Sequence, residues 1–122
     1  MMPKITIKKD YILVEPQVYE LQEIIGCIAR LFNMPENREK NVIWLFKEGS
    51  LKITYDDLYK IKDFVKENLP ENERPDKKTA VILQSGFLSA MAKIFSIIGE
   101  NLPLNYKVFS DLAAAEKWII DK

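Results

Sequence analysis

Two patterns of apolar residues take turns along this chain: short apolar runs suited to strands, and three-and-four spacings suited to helices. Ile5, Thr6 and Ile7 alternate with the period of two that marks a half-buried strand. Lys8, Lys9 and Asp10 form a polar turn, and Tyr11–Glu15 resumes as a second strand that Pro16 ends, so the spacing predicts an N-terminal hairpin. Leu21, Ile24, Ile25, Ile28, Leu31 and Phe32 then recur on one helix face. Met34-Pro35 stops that helix, because the residue before a proline is pushed out of the helical region. Residues 33–40 read as a polar loop. Val42 to Phe46 are apolar without alternation, as in a strand covered on both faces, and Asn41–Phe46 is the first such run.

The second helix has the clearest local start signal. Thr54 can cap it, Asp57 follows three residues later, and Ile53 can close over Leu58 as a hydrophobic staple. Leu58, Ile61, Phe64 and Val65 form its apolar stripe, and Leu69-Pro70 ends it. Residues 70–78, rich in charge and holding Pro70 and Pro75, read as a solvated loop. Residues 79–83 form the next interior strand, and Gln84-Ser85-Gly86 turns into a third helix over 87–101. Only Ser89, Lys93, Ser96 and Glu100 make a polar stripe on that helix, so it is either deeply buried or part of an interface. Residues 106–109 are the last strand. Ser110 then caps a terminal helix with Asp111 in its first turn, and Leu112, Ala115, Trp118 and Ile119 face inward. This alternation predicts an α/β fold: a mainly parallel five-stranded sheet with an antiparallel N-terminal strand and four helices on its faces.

In this order the segments resemble a SpoIIAA-like protein of the STAS/CRAL-TRIO group, STAS standing for sulphate transporter and anti-sigma-factor antagonist. The resemblance is carried by Asn41–Phe46, by Ile53-Thr54-Tyr55-Asp56-Asp57-Leu58, by residues 79–83 with Ser85-Gly86, and by Val108-Phe109-Ser110-Asp111-Leu112 with Trp118. Each segment alone is fold grammar; their joint order, over nearly the full length, carries the likeness to one STAS-like domain spanning 1–122. The resemblance implies a small regulatory or binding domain with no known chemistry, acting through another protein. Anti-sigma antagonists of the group are switched by phosphorylating a serine in an Asp-Ser-Ser/Thr-Gly turn before the second helix. Here that turn reads Lys47-Glu48-Gly49-Ser50-Leu51, with the helix starting later at Thr54, so the switch motif is not present. A Ser-Gly pair occurs one crossover further on, at Ser85-Gly86.

Composition narrows the function classes. A chain of 122 residues is one domain by size and large enough to bury a core without staples. Eighteen basic residues cancel eighteen acidic ones, which argues against nucleic acid as the partner, and Lys8-Lys9 and Lys77-Lys78 are too short to read as polybasic segments. The single cysteine, Cys27, suits a reducing compartment. No leader pattern and no apolar run near the ~20 residues of a membrane span are visible, so the expected location is cytoplasmic. With no histidine and one cysteine, a histidine-based triad, an imidazole metal site and a zinc-thiolate cluster are excluded, and neither a catalytic constellation nor a cofactor or metal site is expected.

In open parallel sheets, ligands bind beyond the carboxyl ends of the strands. Three segments should meet there: Glu48-Gly49-Ser50, Gln84-Ser85-Gly86 and Ser110-Asp111. Ser85 and the amides after Gly86 sit at a helix start that attracts anions; the plainer reading, which we favour, is a tight turn with a serine cap. Asp56 and Asp57 point about 100° apart on one helix and read as helix-start electrostatics in preference to an ion site. Glu48 alone has no such explanation. Cys27, among Ile24, Ile28 and Leu31, reads as core filler. Phe87, Leu88, Met91, Phe95 and Ile98 on the third helix invite three readings: plain core, an interface with a second copy, or the lining of a pocket for a small apolar or amphipathic ligand. The expected function is a non-enzymatic interaction domain, its expected partner a second copy or another protein, with ligand carriage as the alternative.

Overall fold

A computed structural model describes residues 4–17, 19–46, 51–52, 55–68, 76–83 and 105–121. Its elements are β1 (Lys4–Ile7), β2 (Tyr11–Glu15), β3 (Tyr19–Glu20), α1 (Leu21–Phe32), α2 (Glu36–Glu39), β4 (Asn41–Phe46), β5 (Leu51–Lys52), α3 (Tyr55–Asn68), β6 (Lys78–Leu83), β7 (Asn105–Phe109) and α4 (Leu112–Ile120). Three of the four expected helices are therefore described, as α1, α3 and α4. The fourth, over 87–101, lies outside the described residues. Within the stretch read as polar loop, α2 adds a single helical turn.

The main sheet has five strands in the order β1-β2-β4-β6-β7. β1 runs antiparallel to β2, with Ile5 opposite Val14 and Ile7 opposite Ile12. Every other neighbour is parallel: Leu13 lies opposite Ile43, Ile43 opposite Ala80, and Ala80 opposite Lys107. The expected mixed sheet with one antiparallel N-terminal strand is thus observed. The interior strands follow from composition, since all of Val42 to Phe46 and Ala80 to Leu83 are buried. Residues buried on both faces are read as unbroken apolar runs, and these are the runs that the sequence displays.

Alternate residues feed two cores. Ile12, Val14, Val42, Trp44, Phe46, Val81 and Leu83 face one side, where Ile24, Cys27, Ile28 and Leu31 of α1 cover them. Ile61, Phe64 and Val65 of α3 pack against the same cluster, and the Phe32 and Phe64 rings stack with centroids 6.4 Å apart. On the opposite side, Tyr11, Leu13, Ile43, Leu45, Ala80 and Ile82 pack with Ala115 and Ile119 of α4. Ile12, Ile43 and Ile82 are completely enclosed. Burying one such side chain contributes about 1.5–3 kcal/mol.

The winding is one-way. Chain order and sheet order coincide from β2 through β4 and β6 to β7. The crossover helices α1 and α3 share one face, as same-handed crossovers in a constant direction require. α4 comes after the last strand and folds back over the other face.

Candidate functional site

At the carboxyl ends of the strands, the loops after β2 and β4 are tied together by a second, two-stranded sheet. β3 and β5 pair in parallel, Tyr19 opposite Leu51 and Glu20 opposite Lys52. Pro16 is buried, and the Gln17 backbone N–H donates to Glu23 Oε2 at 3.0 Å, which fastens the first loop to the opening turn of α1. This ladder has no counterpart in the sequence reading, because two-residue strands are too short to show a period.

Ser110 is an exposed residue at this same edge, directly after β7. The expectation that Ser110 caps the terminal helix is corrected. The N-cap is Asp111, with extended backbone (φ −145°, ψ 158°), and its Oδ1 accepts the Ala114 backbone N–H at 2.8 Å. A carboxylate one residue further on reaches the third helical amide and adds a favourable charge at the positive end of the helix. Of the other predicted site residues, Glu48, Gly49, Ser50, Thr54, Ser85 and Gly86 lie outside the described residues, as do Phe87, Met91 and Phe95. Asp56 and Asp57 occupy the first turn of α3, the helix-start position expected of them.

Strand order bears on what this edge can do. A ligand crevice in an open α/β sheet opens where strand order reverses and neighbouring crossovers part to opposite faces. The strands here advance in one direction, so the described sheet contains no such reversal. The general rule therefore does not open a cleft between these strands.

Polar chemistry gathers instead at the opposite edge, where the parallel strands begin. A turn with Asp76 in the left-handed region (φ 64°), which aspartate tolerates, leads into β6. Asn41 Oδ1 accepts the Lys78 backbone N–H at 2.7 Å, and Asn41 Nδ2 donates to the Ile119 carbonyl at 3.3 Å. Lys78 Nζ donates to the Trp118 carbonyl at 2.7 Å and also to that of Asp121, and lies 5.2 Å from the centre of the Trp118 ring. A cation thus sits on the carbonyls that end α4, where the helix dipole is negative. Further along, the Tyr11 hydroxyl donates to Glu116 Oε2 at 2.8 Å. Lys40 Nζ closes the hairpin side by donating to the Lys9 carbonyl at 2.9 Å and to that of Lys8. Sequence reasoning set Lys77-Lys78 aside as too short for a basic patch. It had no means to see that Lys78 works singly, because a lysine at a strand start is common and the helix end it meets is forty residues away.

Neither perturbed group is built for proton or nucleophile chemistry near neutrality. Burial, with the Glu116 hydrogen bond and charge behind it, pushes the Tyr11 hydroxyl up to about 12. Burial, with the Glu23 carboxylate behind it, pushes the Cys27 thiol up to about 11. A thiol so raised stays protonated and inert, in keeping with core filler. Among the described residues, no three acidic, cysteine or histidine side chains come together as a metal site, and no helix is long and apolar enough to cross a membrane. Set beside protein-family models, curated proteins and solved structures, the chain matches none of them.

Proposed function

We propose that this chain is a non-enzymatic regulatory domain of the SpoIIAA/STAS-like kind, which works in the cytoplasm by binding protein, a second copy of itself in the first instance. The observation that carries this reading is the order of the elements: a one-way sheet opening with an antiparallel strand, crossover helices on one face and a terminal helix on the other. The lack of an order reversal in that sheet favours recognition by surface over enclosure of a small ligand. The departure of Lys47-Glu48-Gly49-Ser50 from the phosphorylated turn of anti-sigma antagonists separates the reading from classical partner switching.

Size-exclusion chromatography with light scattering tests it. Twice the chain mass of 14.2 kDa at micromolar concentration is the expected result, and a monomer at that concentration overturns the homodimer. Met91→Glu combined with Phe95→Glu should return a dimer to folded monomers; loss of the folded circular dichroism signal would instead make those residues core. Native mass spectrometry of freshly purified protein decides against the alternative. A reproducible added mass, released on denaturation, identifies a carrier of a small apolar or amphipathic molecule and refutes the interaction reading.

A further inference from the structure

No further inference is drawn: the strongest candidate, the outer edge of β1 with Ile7 48% exposed, carries nothing, because Lys4 on it and Lys8 and Lys9 in the turn that follows are charges that discourage strand pairing and nothing in the structure shows what covers it.

Discussion

Replacing Lys78 with methionine removes a cation from the end of a helix while keeping most of its aliphatic length. In the native protein that ammonium donates to the Trp118 carbonyl in the last turn of α4 and to the Asp121 carbonyl just beyond it, and lies over the Trp118 ring. A cation at a helix C-terminus contributes about 0.3–1 kcal/mol, and a cation over an indole about 0.5–1 kcal/mol where water still reaches it. Hydrogen bonds from a charged donor contribute about 1.5–3 kcal/mol each, but Lys78 is only half buried and water can replace it at the freed carbonyls. Holding a lysine side chain in one geometry also costs up to about 2 kcal/mol of entropy. The balance is a loss of about 2 kcal/mol, or roughly 6–10 °C in melting temperature for a domain of this length. Urea unfolding should show a lower midpoint with an unchanged slope, which is the mark of altered stability without altered compactness. Hydrogen exchange locates the effect: amides at the end of α4 should open about thirty-fold more readily. Lys78→Arg, which keeps the charge, should recover at least half of the loss. A destabilisation of Lys78→Met below about 0.5 kcal/mol would falsify the clamp.

Three further outcomes follow from named groups. Asp111→Ala should cost about 1 kcal/mol through the lost N-cap, whereas Ser110→Ala should stay within about 0.5 kcal/mol; the reverse ranking in urea unfolding returns the cap to Ser110. Native protein at pH 8 should react with a thiol reagent only after urea is added, since Cys27 is enclosed and raised; prompt labelling of the folded chain contradicts that placement. Alkali should weaken the fold: Cys27 and Tyr11 both have folded values above their ordinary 9.0 and 10.0, so their contribution is complete below pH 9 and is lost as pH rises towards about 11 and about 12. Tyr11→Phe should flatten the upper part of that decline and cost about 1 kcal/mol at neutral pH, because Glu116 loses its donor. The phenolate absorbance that the folded native protein shows and Tyr11→Phe lacks should appear only well above pH 10; a difference titration that places it near 10 counts against the raised hydroxyl.

The sheet was legible because its strands are the kind that sequence displays best. Val42 to Phe46 and Ala80 to Leu83 are enclosed on both faces, and an unbroken apolar run has few other uses in a chain of this size. The same holds for α1, whose buried Ile24, Cys27, Ile28 and Leu31 repeat at helical spacing. What escaped was everything set by contacts between distant segments. Tyr11 reaches Glu116 across 105 positions and Asn41 reaches Ile119 across 78, and nothing local marks either pair. The choice between Ser110 and Asp111 as cap escaped for a different reason: both residue types cap well, and one residue of backbone geometry decides between them. The candidate site was read from a rule about strand ends that presumes a reversal of order. Local patterns gave the strands but not their one-way succession, which is a property of the whole sheet.

That succession has a consequence for synthesis on the ribosome. Each strand from β2 onward docks on the rim left by its predecessor, so the growing chain can accrete in the sequence in which it emerges, without waiting for distant partners. α4 is the exception. Its anchors, Tyr11, Asn41 and Lys78, belong to three strands made long before it, so it acts as a keystone, locking into an arch already assembled.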